Sequence, residues 1–171
     1  MVDWKPSASL KHLKQRAYAL AKIRRFFSER DVLEVETPLL ASSTVSDVYI
    51  ESIVAEVVKG SSSRKNFLQT SPEFFMKRLL ASGSGSIYQI SKAFRQEEKS
   101  ARHNIEFTLL EWYRLSYSLD QLMTELEELV QEVLGCGPIF RLSYREIFRQ
   151  NLQIDPHEIS LKELQQLARS E

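Results

Sequence analysis

The segment from Ile87 to Arg114, IYQISKAFRQEEKSARHNIEFTLLEWYR, constrains what this chain can fold into more than any other. Its first arm alternates. Gln89, Ser91, Arg95 and Glu97 share one phase and Tyr88, Ile90 and Phe94 the other, as in a strand that lays one face on a core. The second arm, Phe107 to Tyr113, is rich in aromatics and sets Phe107, Glu111 and Tyr113 in a single two-residue phase. Between the arms, Glu98 to Asn104 is polar and crowded with charge, so the segment reads as two antiparallel strands joined by an exposed loop. One sheet face would then carry a guanidinium, two carboxylates, a phenol and a flat ring, beneath a loop holding Arg102 and His103. An Arg fork takes phosphate bidentately, an aromatic face can stack on a purine, and carboxylates hold ammonium groups. The plainer alternative is a hairpin whose charges form surface ion pairs.

The rest of the chain supplies elements around this hairpin. Leu10, Leu13, Ala17, Leu20, Ile23 and Phe27 recur at three- and four-residue steps, predicting an amphipathic helix from about Ser9, its cap, to Arg30. Lys11, Lys14, Arg16, Lys22, Arg24 and Arg25 lie largely opposite the apolar face and read as solvated surface, with a nucleic-acid stripe as the alternative. Asp31 to Pro38 is a short alternating strand stopped by proline. Ile53–Val58 and Asn66–Gln69 read as strands joined by a flexible run, Lys59 to Arg64. A helix then opens with Ser71 as cap, Pro72 at its first position and Glu73 in its first turn, and ends at Gly83. Glu73 is either a helix-capping acid or a solvent-facing carboxylate on a rigid element, suited to a ligand. Beyond the hairpin, Ser118 to Gln121 is a capping box, and the stripe Leu119, Leu122, Met123, Leu126, Leu129, Val130 and Val133 is read as core up to Gly135. Glu125, Glu127, Glu128 and Glu132 read as its solvated face. Ser143 to Glu146 and Ser160 to Glu163 are further capping boxes, each starting a short helix.

Composition limits the function classes. With 171 residues and 43% hydrophobic content the chain can bury one core, so a single domain over 1–171 is expected. Lys and Arg number 23, as do Asp and Glu, so no basic field gathers nucleic acid. One cysteine, Cys136, and three scattered histidines give neither a disulfide nor metal-ligand spacing, so no metal site is expected. No apolar run or signal-peptide core stands out, and a cytoplasmic protein is expected.

Phe94-Arg95-Gln96-Glu97, then Arg102-His103-Asn104, then Glu106 to Tyr113 resembles motif 2 of the class II aminoacyl-tRNA synthetases, in the lysyl branch. The helix followed by a strand and Glu36-Thr37-Pro38 resembles motif 1, which in that family forms much of the dimer interface. Ser71-Pro72-Glu73 followed by Met76 to Leu80 is similar to the lysyl branch as well. Nothing after Tyr113 resembles motif 3, with its second ATP-binding arginine, and no β-rich anticodon-binding domain precedes motif 1. Starting with Trp4 to Ser9, and carrying Trp112, the chain is more similar to the shorter branch that ligates lysine or β-lysine to elongation factor P. Two departures stand out: Asp31-Val32 replaces a common Gly-Phe, and Ile105 replaces a proline.

The resemblance implies an α/β (α+β) fold, a class II synthetase-like antiparallel sheet flanked by helices, covering about the N-terminal half of the family's catalytic domain. It implies ATP-dependent formation of an aminoacyl-adenylate, magnesium with the phosphates, and transfer to elongation factor P. Arg95 would hold the α-phosphate and the attacking carboxylate; Gln96, Glu97, Arg102, His103 and Asn104 would contact ATP, and Phe107 would stack on adenine. Ser71, Pro72 and Glu73 would line the α-amino end of the amino acid, and Glu111 with Tyr113 the distal ammonium. A homodimer through the motif 1 segment is expected, with tRNA charging disfavoured. The other expectation is a noncatalytic module that binds a lysine-like ligand or a partner protein. By itself the 171-residue chain is expected to make no adenylate.

Overall fold

The computed structural model describes residues 4–96, 100 and 103–170. Two compact units divide the chain, Met1–Gly135 and Cys136–Glu171.

In the first unit the hairpin is the organising element. Strands β5 (Ile87–Phe94) and β6 (Glu106–Tyr113) pair antiparallel from Ile87↔Tyr113 to Phe94↔Glu106. Their alternation sorts the side chains by face. Tyr88 sits in the buried cluster with Phe26, Phe27, Val32 and Leu129, and Ile90, Leu110 and Trp112 pack against it. Phe27 stacks on Tyr88 with ring centroids 4.4 Å apart and meets Trp112 at 5.7 Å. The other phase, with Gln89 opposite Glu111 and Ala93 opposite Phe107, faces away from that cluster.

Helix α1 (Leu10–Ser28) covers the core face, and its predicted cap is present, Ser9 Oγ accepting from His12 N–H. Its apolar stripe is only half used. Phe26 and Phe27 are fully buried, whereas Leu10 and Leu13 are 76% and 48% exposed. Its cations are largely paired: Arg24 with Glu34, and Arg25 and Lys22 with Glu132 Oε1 and the Glu132 carbonyl on α3 (Leu119–Leu134). Arg30, beyond the helix, reaches Glu128 at 2.9 Å. Exposed pairs of this kind add little stability but fix how two helices lie.

Several expectations are corrected. The strand predicted over 31–38 shrinks to β1 (Leu33–Glu34), which joins β5 in parallel, so this sheet is mixed, in the order β1-β5-β6. Asp31 keeps a left-handed φ of 52°, and Val32 fills the buried position beside it. The flexible run 59–64 is instead a tight hairpin. Its Ser-rich residues continue the ladder, pairing Lys59 with Ser62, and Gly60 alone supplies the positive φ, 62°. Strands β3 (Val54–Lys59) and β4 (Ser62–Leu68) thereby form a second sheet with β2 (Leu40–Ala41), in the order β2-β4-β3. Helix α2 (Glu73–Ala81) is capped at Pro72, not by the Ser71 side chain: Met76 N–H bonds to the Pro72 carbonyl and Pro72 is fully buried.

On α3 the capping box at Ser118 and the left-handed Gly135 are present, but the stripe and the acidic face trade places in part. Leu119 and Leu126 are exposed, whereas Glu125 is buried at 4% exposure against Arg114 and Trp112. Glu128 and Glu132 pair with α1 as above.

In the second unit, α4 (Tyr144–Leu152) and α5 (Leu161–Ser170) open with the predicted capping boxes at Ser143 and Ser160. Asp155 binds Arg145 and Arg149 between them. Among the described residues no helix is long and apolar enough to cross a membrane.

Candidate active site

Backbone links bring three separate segments, at Leu39, Gln69 and Glu51, to the face of the hairpin opposite the core cluster. At the end of β4, Gln69 N–H bonds to the Leu39 carbonyl and the Gln69 carbonyl accepts from Phe94 N–H at 2.9 Å. The buried Gln69 side chain reinforces this junction by donating to the Lys92 carbonyl. That lays the start of α2 alongside the mouth of the hairpin. Gln96 N–H bonds to the Glu51 carbonyl, which pins the loop before β3 to the same place.

A cleft of about 460 Å³ results, lined by Val45, Ser46, Asp47 and Ile50 from the loop, Thr70, Ser71, Glu73 and Phe74 from α2, and Arg95, Leu109 and Glu111 from the hairpin. Of the residues expected from sequence, it brings together Ser71, Glu73, Arg95 and Glu111. Pro72 lies buried beneath. Tyr113 joins by donating its hydroxyl to Glu111 Oε1 at 2.6 Å. Phe107 lies with its ring centroid 5.2 Å from the Arg95 guanidinium, and Arg95 Nε points to the Thr70 carbonyl at 3.4 Å. His103 and Asn104 are exposed on the loop, where Ser100 Oγ and His103 Nδ1 lie 2.8 Å apart. Gln96 is exposed next to Arg95. Glu97 and Arg102 lie outside the described residues.

The loop residues Val45, Ser46, Asp47 and Ile50 line the cleft without a sequence signal that marks them for it. The run Ser42-Ser43-Thr44-Val45-Ser46-Asp47 shows no period, and its contribution depends on the Glu51–Gln96 link. Asp47 was legible only as a turn former: its Oδ1 accepts from Tyr49 N–H.

Charge in the cleft is graded. Burial raises the Glu111 carboxyl above the usual range, and the nearby Glu73 charge raises it further; the Tyr113 hydrogen bond and Lys77 pull it back. Burial also raises the Tyr113 phenol, and its bond to Glu111 adds to that. It is therefore a proton donor across the physiological range. Glu73 is held by Lys77 Nζ at 2.5 Å, an exposed i,i+4 pair that an incoming ammonium can displace at small cost. The cleft thus gathers a guanidinium, with the Phe107 ring beside it, and two carboxylates from separate elements. Such an arrangement fits a zwitterionic, cation-bearing ligand next to a phosphate-bearing one. A smaller cavity of about 370 Å³ shares the wall formed by Thr70, Ser71 and Phe74, and is lined otherwise by hydroxyls, apolar groups and Arg78.

This fold is that of the class II synthetases. The chain belongs to the family of class II tRNA synthetases (D, K and N), whose family model matches residues 1–152. It is 50% identical over 171 residues to the elongation factor P–(R)-β-lysine ligase of Vibrio cholerae, and 51% identical over 167 residues to that of Pseudoalteromonas translucida. These matches cover 97% and 96% of this chain and 52% of each relative, so the chain spans about half the length of the curated relatives it matches. Among solved structures, asparaginyl-tRNA synthetase from Pyrococcus horikoshii, complexed with asparaginyl-adenylate, matches with a TM-score of 0.60. That match is 20% identical over 72% of this chain and 27% of the other, and it bears on the fold alone.

Proposed function

We propose that this chain supplies the amino-acid pocket and one arm of the ATP clamp of a ligase that activates lysine or β-lysine and passes it to a lysine side chain of elongation factor P. The observation that carries this reading is the convergence of Glu73, Glu111 and Arg95 on one cleft. A diamino acid has two ammonium groups to satisfy. Glu111, with Tyr113, takes the distal ammonium, and Glu73 takes the one near the carboxylate once Lys77 gives way. The substrate carboxylate is then directed toward Arg95.

Arg95 holds that carboxylate and the α-phosphate together, stabilising the charge that builds as a carboxylate oxygen attacks the α-phosphorus and pyrophosphate leaves. Phe107 stacks on adenine; Gln96, Glu97, Arg102, His103 and Asn104 reach ATP from the loop. In the second step the acceptor amine attacks the acyl carbon, AMP leaves and the amine loses a proton. Magnesium would accompany the nucleotide's phosphates. The names of the relatives support elongation factor P as acceptor. A homodimer would use residues 32–38, where β1 is an edge strand with Leu33 exposed.

Lysine- or β-lysine-dependent ATP–pyrophosphate exchange tests the reading. The chain alone, with a single arginine arm for ATP, is expected to give none, and adding the remaining half of a relative as a separate chain is expected to restore it. Binding of lysine with no exchange in the restored pair would favour a noncatalytic binding module instead. Acylation of tRNA by that pair in preference to elongation factor P would return the chain to the tRNA-charging branch.

A further inference from the structure

One buried acid–base pair is not touched by the proposed chemistry. Glu125, on α3, is 4% exposed, and Arg114, just past β6, is 10% exposed at the side chain. Glu125 Oε2 accepts from Trp112 Nε1 at 3.1 Å, and its Oε1 lies 3.2 Å from Arg114 Nε. Arg114 also donates to the Arg30 carbonyl and to the Tyr117 hydroxyl, whose ring lies beneath the guanidinium. One carboxylate thus holds both neighbours of Tyr113, Trp112 by a hydrogen bond and Arg114 by charge alone, since Arg114 Nε and Glu125 Oε1 are buried without an aligned hydrogen bond.

In β6 Trp112 points to the core face while Glu111 and Tyr113 point to the other, and Arg114, the residue after the strand, turns to Glu125 on the core side. Fixing both sets the peptide planes on either side of Tyr113, and so the direction of the hydroxyl that donates to Glu111. Stability alone does not account for the arrangement. Desolvating two charges costs several kcal/mol, and replacing such a pair by apolar groups of similar size is often neutral or stabilising.

We infer that Glu125 is a positioning residue: through Trp112 and Arg114 it holds the Tyr113–Glu111 pair in the geometry that receives the distal ammonium of the substrate. The inference rests on the functional reading above for its ligand, but the Tyr113–Glu111 geometry can be measured without one.

The test compares the parent chain with Arg114→Met/Glu125→Met, which removes both charges and leaves none stranded. Thermal melting monitors the fold, carbon-13 carboxyl NMR follows Glu111 through a pH titration, and calorimetry measures lysine, β-lysine and ATP. The variant is expected to stay folded, with a melting point lowered at most by the loss of the Trp112 and Arg30 hydrogen bonds, while the Glu111 midpoint moves upward because the Tyr113 hydrogen bond that holds it down is loosened. Affinity for lysine or β-lysine is expected to fall about tenfold, the scale of a small misplacement of a binding group. ATP affinity should stay within about twofold, since its contacts share no partner with Glu125. A folded variant with an unchanged Glu111 titration overturns the inference, whatever its melting point. Should the double variant fail to fold, Glu125→Gln decides on the same readings, expected to move in the same direction by a smaller amount because a glutamine can still accept from Trp112. If the parent binds neither amino acid, the functional reading fails, and the Glu111 titration still decides the positioning role.

Discussion

Replacing Glu111 by glutamine should separate function from stability in opposite directions. Glutamine keeps the shape and still accepts the Tyr113 hydroxyl, so the change removes charge and little else. Two unit charges about 4 Å apart interact by about 4 kcal/mol at an effective dielectric of 20. Glu111 is only half-buried and Tyr113 remains to solvate the ammonium, so a loss of about 2 to 3 kcal/mol, roughly 30- to 150-fold in Kd for lysine or β-lysine, is expected. ATP affinity should not follow. The pH dependence carries the same signature. Because burial raises the Glu111 carboxyl, parent affinity should decline as pH falls through that raised value, and the ligand's cation, which favours the carboxylate, should release a proton on binding. The glutamine variant should be flat across the same window.

Stability has the other sign. A carboxyl whose folded value is raised binds more protons in the folded chain than in the unfolded one, so stability falls as pH rises from the unfolded value through the folded one. Above that window the charge is a net cost to the fold. The Glu111→Gln chain should therefore melt no lower than the parent at neutral pH. Calorimetry and thermal melts on the two chains check both halves. Equal losses for lysine and ATP, or a clearly lowered melting temperature, would show that Glu111 supports the sheet and does not read the ligand.

Arg95→Ala, in a chain completed by the remaining half of a relative, should lower ATP–pyrophosphate exchange by roughly 100- to 1,000-fold, the value of one preorganised donor to a developing oxyanion, with a smaller effect on lysine binding. Near-normal exchange would remove Arg95 from the chemistry. Asp31→Gly should raise stability by about 0.5 to 1 kcal/mol, read as a higher melting temperature, because Asp31 holds a left-handed φ that glycine adopts without the Cβ clash.

The hairpin was legible because a two-residue period survives any tertiary setting: the same alternation that places Tyr88 in the core places Gln89 and Glu111 on the cleft side. The capping boxes at Ser118, Ser143 and Ser160 were legible because each is closed by residues three apart. Glu125 was not. A glutamate on a helix reads as solvated unless its partner is known, and Arg114 comes from another element. The run Lys59 to Arg64 failed for a related reason. Serines favour turns locally, but cross-strand pairing of Lys59 with Ser62 carries the ladder through them. The floor of the cleft was written in sequence; the wall from Val45 to Ile50 exists only because Glu51 meets Gln96 across the fold.

Strand β5 has two neighbours of very different chain distance, and that difference orders events as the polypeptide collapses. Its ladder with β6 has only the segment between Phe94 and Glu106 to close, whereas β1 must wait for the long loop from Glu34 to Ile87. Closing the longer loop loses more chain entropy before any contact compensates it. The hairpin, with its cross-strand Tyr88 and Trp112 rings, is thus the natural nucleus, and β1 docks late. Substitutions that weaken Tyr88 or Trp112 should slow folding, while those at Leu33 should mainly hasten unfolding. The surface that presents Glu111 and Arg95 would then take shape before the strand that the proposed dimer uses as its edge.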